Sequence, residues 1–178
     1  GYIALLNFGI GGTIVRYLSK YRAEGDKEQE ARVAGLFIKI YSVVCVLILI
    51  AGFAFVANIE VYSRSLSLQE VETLRTLVIL MTLNTAIFLP FSVFSSVVIS
   101  YERYIFSKLV AVLSTTAAPI LNILLLYLGY GSVGLVIVST VLNIITYGLY
   151  TYYSLCRIKL RPSFKKNEPG LLTEILKF

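Results

Sequence analysis

GYIALLNFGIGGTIVRYLSKYRAEGDKEQE, residues Gly1–Glu30, decides how the rest of the chain is read. From Gly1 to about Leu18 the stretch is apolar and built of small residues, with Gly9, Gly11 and Gly12 close together. It then turns to charge, with Arg16, Lys20, Arg22, Glu24, Asp26, Lys27, Glu28 and Glu30. An apolar run that gives way to charge is the pattern of a helix leaving a bilayer for water. Glycine weakens a helix in water, but in hydrocarbon the backbone must bond to itself and the helix persists. Gly9 and Thr13 stand one turn apart as a small-xxx-small pair, which suits close helix packing; substrate contact is the other reading.

Composition points the same way. The chain is 57% hydrophobic with a mean hydropathy of +0.81, more apolar than an ordinary soluble domain. It contains no histidine and no tryptophan. Cys45 and Cys156 lie in apolar runs without metal-ligand spacing and read as small buried hydrophobes. The formal charge of +6 sits beside apolar runs, so it reads as membrane topology and not as a nucleic-acid surface.

Four further spans follow the first, at residues 33–56, 76–100, 109–128 and 133–156. The 24 residues of Val33–Val56 rise about 36 Å, enough to cross a hydrocarbon core of about 30 Å with some tilt. Residues 57–75 form a polar connection. Within it Ser67-Leu68-Gln69-Glu70 fits a capping box, predicting a short amphipathic helix that leads into the third span. Tyr101–Lys108 is a short charged link, Gly129–Ser132 a tight turn, and Arg157–Gly170 a basic loop closed by Pro169-Gly170. Leu171–Phe178 reads as the start of another helix. Runs of twenty or more residues without alternation argue against barrel strands, so the fold class is an all-α integral membrane protein. The chain opens inside a helix with neither Met nor a cleavable signal pattern, which predicts a piece of a larger protein with spans on both sides.

Of the sixteen Lys and Arg, thirteen fall in alternate connections (residues 16–32, 101–108 and 157–178), two in the others (Arg64 and Arg75), and Lys39 lies in a span. The positive-inside rule puts the thirteen in the cytoplasm. The first span then runs inward.

The chemistry these spans can hold is limited. No span centre contains Asp or Glu, and paired carboxylates, His-based metal sites, Ser-His triads and P-loops are absent from the sequence. An enzyme is not expected, nor a metal or cofactor. The spans instead carry amides: Asn7, Asn84, Asn122 and Asn143 place one in each of four spans. Each costs free energy in lipid unless partnered, so they predict interhelical hydrogen bonds or a hydrated interior face. Pro90 and Pro119 predict kinks that serve gating or simply shape the bundle. Arg16 and Lys39 are the cations nearest the membrane interior. They either snorkel to the headgroups or line an inward-facing vestibule that attracts a phosphate-bearing lipid headgroup.

Three stretches carry a family resemblance: FGIGGTIVRYLSKYRAEGD at Phe8–Asp26, SVVISYERYIFSK at Ser96–Lys108 and LGYGSVGLVIVSTVLNII at Leu128–Ile145. They resemble spans two to six of the N-terminal lobe of bacterial oligosaccharide flippases, within the multidrug/oligosaccharidyl-lipid/polysaccharide exporter superfamily. The family often has an aspartate where this chain has Asn7. The resemblance implies a MATE-like transporter of twelve to fourteen helices, with two lobes around a central cavity and a pseudo-twofold axis along the membrane normal. It implies a polyprenyl-diphosphate-linked oligosaccharide as cargo, alternating access as mechanism, the C-terminal lobe of the same chain as partner, and the bacterial cytoplasmic membrane as location. Two rivals stand beside it. A drug/cation antiporter of the same superfamily wants a membrane carboxylate, and a membrane enzyme of polysaccharide assembly wants large external loops rich in Arg, His or acids. A structural or receptor bundle is the plainest alternative.

Overall fold

The structure, a computed structural model, describes residues 2–59 and 67–164, with side chains from Gly11 onward. Among the described residues five α-helices follow in order: α1 (Tyr2–Ala23), α2 (Lys27–Ala57), α3 (Leu68–Ser100), α4 (Tyr104–Tyr127) and α5 (Gly131–Tyr152). The last continues into a π-helical stretch at Tyr153–Ile158. No strand occurs among the described residues. Four of the helices, α2 to α5, are long and apolar enough to cross a membrane. The expected first span is a helix but is not among those four. Its glycines and Arg16 dilute an apolar stretch that is already short.

Local chemistry sets the helix boundaries. Gly25 adopts φ +74°, a left-handed turn that glycine enters without a Cβ clash, and it reverses the chain between α1 and α2. Asp26 then caps α2, its Oδ1 accepting from the N–H groups of Glu28 and Gln29 at 3.1 and 3.0 Å. The capping box at Ser67 forms as expected: the Ser67 Oγ accepts from Glu70 N–H, and Glu70 Oε2 accepts from Ser67 N–H at 2.8 Å. It does not start a separate short helix. Leu68–Arg75 are the opening turns of α3 itself, because nothing after the box breaks the helix. The charged link is likewise shorter than expected. Residues 101–103 make the turn, with Glu102 at φ +56°, and Tyr104–Lys108 already belong to α4. Both Pro90 and Pro119 lie inside continuous helix. After Pro90, the hydroxyls of Ser92, Ser95 and Ser100 each donate to the carbonyl three residues back.

The helices run up and down, and the ends rich in Lys and Arg gather together. Arg22, at the end of α1, reaches the Ser100 carbonyl at the end of α3. Ser107, near the start of α4, bonds Tyr150 near the end of α5. α2 and α3 form the most extensive pair, α1 packs on both, and α5 joins α3 to α4. The buried core sits toward this basic end. Ile14, Tyr17 and Leu18 of α1 meet Val33, Phe37 and Tyr41 of α2 and Val93 and Val97 of α3. A smaller cluster joins Phe94 and Val98 to Val110 and Tyr150. Elsewhere the apolar side chains face outward, among them Val46, Leu47, Ile50, Leu113, Ile120 and Ile123. Only 6–17% of each span's most apolar window is buried within the protein, which suits a hydrocarbon solvent and does not suit water.

The expected seam at Gly9 and Thr13 falls in part outside the described residues. Gly11 and Gly12 have open space where a Cβ would stand, and the side chain of Gly9 lies outside the described residues. The close approaches are at Gly52, where a Cβ would run into the Thr82 side chain of α3, and at Gly35, where it would meet the Ser163 backbone. Without a hydrophobic drive between helices in lipid, such small-residue contacts let backbones approach and gain dispersion energy. Cys45 is half-buried, but Cys156 is exposed, so the second cysteine is not the buried hydrophobe expected. The expected turn at Pro169-Gly170 and helix at Leu171–Phe178 lie outside the described residues.

Candidate functional site

Among the described residues, two polar centres stand out in the apolar bundle, beside a hydroxyl pair of Ser114 and Thr146 that links α4 to α5 at 2.8 Å. The first lies midway along α3 and α5. Asn84 is the seventeenth of the 33 residues of α3, and Asn143 the thirteenth of the 22 of α5. The Asn84 amide donates to Thr140 Oγ1 at 2.9 Å, and the Asn143 amide donates to Asn84 Oδ1 at 3.0 Å. Thr140 passes its own proton to the Val136 carbonyl at 2.8 Å. The chain of donors thus ends on backbone, and two of the four expected amides satisfy each other across two helices.

This ladder borders two clefts. One, of about 410 Å³, is lined by both amides together with Thr85, Ser92, Ser139, Phe88 and Tyr147. The other, of about 730 Å³, shares Asn84, Phe88 and Tyr147 and is walled mostly by apolar side chains such as Leu80, Ile87, Phe91 and Ile144, with Thr140, Thr151 and Tyr152. Phe88 and Tyr147 stack between the two, ring centroids 5.5 Å apart at 13°. The smaller cleft offers hydroxyls, amides and aromatic faces and no formal charge. Such a surface binds neutral polar ligands by hydrogen bonding and stacking, and sugars are of that kind.

The remaining sequence candidates are scattered. Asn122 is half-buried on α4 with its Oδ1 buried and unpartnered, outside the ladder. The side chain of Asn7 lies outside the described residues. Pro90 is half-buried two residues before Ser92, while Pro119 is exposed on α4. Arg16 is exposed on α1. Lys39 is exposed on α2, where its Nζ donates to the Phe164 carbonyl at 2.8 Å and lies 5.8 Å from that ring's centre. Residues 159–164 form the strap that brings Phe164 there. Lys159 turns the chain at φ +61°, Leu160 enters the core, and Ser163 N–H bonds the Ala31 carbonyl at 2.8 Å. Lys39 therefore anchors a backbone segment, a role its position in the sequence did not reveal.

The second centre was missed altogether. Glu30 is 1% exposed, the only buried Asp, Glu, Lys or Arg among the described residues. Its Oε2 accepts from the Tyr101 hydroxyl at 2.9 Å, and its Oε1 is buried with no partner among the described residues. Arg22 lies over the Tyr101 ring, 4.8 Å from its centre, while its Nη1 donates to the Ser100 carbonyl at 2.6 Å. Burial holds the Tyr101 phenol up at about 12, helped by the bond and charge of Glu30. The signal was available. Glu30 stands in helical register with Val33, Ala34, Phe37 and Tyr41, the buried stripe of α2.

No family model, curated protein or solved structure matches this chain. The functional reading therefore rests on the residues themselves.

Proposed function

We propose that this chain is part of a flippase that carries a polyprenyl-diphosphate-linked oligosaccharide across the bacterial cytoplasmic membrane by alternating access. The observation that carries the reading is the uncharged, aromatic-floored cleft at Asn84 and Asn143, placed midway along helices fit to cross a bilayer. A sugar chain in transit needs hydrogen-bonding partners inside hydrocarbon, and it needs them without fixed charge that would trap it. The three stretches that resemble oligosaccharide flippases support the same cargo. In this reading Asn84 and Asn143 meet sugar hydroxyls. The second lobe of the same chain closes the far side of the cavity, and Pro90 and Pro119 shape the two helices that carry them.

Arg16 and Lys39 receive the diphosphate at the cytoplasmic end. Lys39 does so by exchanging the Phe164 carbonyl for a phosphate oxygen, an exchange of a neutral acceptor for an anionic one. Loss of either cation should weaken headgroup binding by about 1–3 kcal/mol. The test is Arg16→Gln and Lys39→Gln, singly and together, in the full-length protein at matched levels. Surface polysaccharide should fall and lipid-linked precursor should accumulate on the inner leaflet. Normal export in the double variant would remove both residues from the site. Normal export after clean deletion, in a strain without a redundant transporter, would remove the flippase reading. The buried carboxylate of Glu30 favours a second reading, a cation-coupled antiporter of the same superfamily; transport of a cationic drug against a proton gradient, with no effect on polysaccharide, would decide for it.

A further inference from the structure

We propose that Glu30 is a proton-binding site. The closed form of the basic end binds a proton on Glu30 more tightly than the open form does, and opening that end to water lowers that affinity. Five observations on the geometry meet here. The side chain is fully covered, one oxygen is committed to Tyr101, and the other faces protein with no donor. The groups that bear on it come from three separate places: the Tyr101 hydroxyl from the turn at 101–103, Arg22 of α1, which lies over the Tyr101 ring and acts on the carboxyl by its charge, and α2 itself. Any motion that parts the α1–α2 hairpin from the end of α3 must break the Arg22–Ser100 bond and uncover the carboxyl.

The ligand is a proton and not a metal ion. A sodium or larger cation asks for a shell of several oxygens, and no second carboxylate joins Glu30 in a metal-ligating cluster among the described residues. A proton asks for one lone pair, which Oε1 has free.

Among the described residues, the groups that act on the carboxyl are the Tyr101 hydroxyl, Arg22 of α1 and Lys27 of α2, with the Ser163 backbone bonded to the neighbouring Ala31. Glu30 lies one turn before the apolar segment that starts at Val33. Burial raises its carboxyl above the ordinary carboxylate value, although the Tyr101 bond and the charges of Arg22 and Lys27 pull the other way. The sign of the coupling follows by linkage. A carboxyl whose affinity for protons is higher when closed than when exposed takes up a proton on closing. Rising pH therefore favours the open form, across the window between the ordinary and the raised value. If the chain is the transporter proposed above, closure of this end would take up a proton within that pH window; the proton site itself does not depend on that reading.

The experiment uses the full-length protein in liposomes without substrate, so its outcome stands apart from any transport result. Infrared difference spectra, wild type minus Glu30→Gln, are recorded across a pH series. Hydrogen exchange at residues 99–103, corrected for intrinsic rates, reports opening. The expected result is a protonated-carboxyl band that persists above the ordinary carboxylate range and is absent in Glu30→Gln. Opening in the wild type should rise several-fold with pH as the band disappears, while Glu30→Gln, a permanently neutral side chain, should stay closed throughout. Tyr101→Phe serves where Glu30→Gln does not fold. It removes a bond to the anion, so the band should persist to higher pH. No such band, a band lost at the ordinary carboxylate value, or the same pH dependence of opening in Glu30→Gln would overturn the assignment.

Discussion

At the scale of the residue, the sequence told most where a side chain was costly in its surroundings. Asn84 and Asn143 were singled out because an amide in hydrocarbon needs a partner, and each partners the other. Their coupling is measurable. A double-mutant cycle with Asn84→Ala and Asn143→Ala should give an interaction of about 0.6 kcal/mol and not above about 1.7, the range for such bonds in membranes. Strict additivity in reversible unfolding would mean the bond contributes nothing. Thr140 was not legible, because a threonine in a helix commonly bonds its own backbone, and only the meeting of α3 with α5 gives it a second role. Glu30 stands among the charges of Gly1–Glu30; its register with Val33, Ala34, Phe37 and Tyr41 was a readable sign of burial, but its partner Tyr101, 71 residues away, was not readable. Tyr101 offers its own test. Its phenol should ionise only near pH 12, so Tyr101→Phe should remove the latest phenolate step in an alkaline ultraviolet titration. Since its value is raised above the ordinary 10, the stabilisation is complete below that pH and is lost as pH rises through about 12. Disappearance of an ordinary step instead would place Tyr101 in water.

At the scale of the element, helix starts with side-chain caps were legible and small-residue seams were not. The capping box at Ser67 needs only four consecutive residues, and it forms. Ser67→Ala should cost about 1 kcal/mol by loss of that cap, read as a lowered midpoint in reversible unfolding; no change would mean the box frays in solution. The glycine seam is different, because spacing within one helix does not say which neighbour comes near. Gly11 and Gly12, beside the expected Gly9–Thr13 pair, have open space where a Cβ would stand, whereas Gly52, which has no small partner spaced one turn away to mark it, meets Thr82. Gly52→Val should therefore destabilise by about 1–3 kcal/mol through overpacking. Adding Thr82→Ala should recover part of the loss, because it clears the obstructing side chain; an unchanged defect would place the strain elsewhere. The strap at 159–164 was unreadable from sequence for a similar reason. Its docking depends on Gly35 leaving room for the Ser163 backbone and on Lys39 reaching Phe164.

At the scale of the whole molecule, helix lengths and short turns foretold the up-and-down bundle, and charge distribution foretold which ends would gather. Alternate helix ends do meet, tied by Arg22 to Ser100 and by Tyr101 to Glu30. In a background lacking Cys45 and Cys156, Ser67→Cys should react with an impermeant thiol reagent in intact cells and Arg103→Cys should not. The reverse would invert the topology. The central claim concerns what crosses at the polar cleft, and it is tested most directly with the purified full-length protein in liposomes. These carry a fluorescent polyprenyl-diphosphate oligosaccharide, and the measurement is the fraction of label that becomes accessible to an impermeant glycosidase with time. The account predicts protein-dependent exposure of the label initially in the inner leaflet. It also predicts that Asn84→Leu with Asn143→Leu slows this several-fold while the protein stays folded and inserted. Exposure no faster than in empty liposomes, with folded protein and the native lipid-linked sugar supplied, would contradict it.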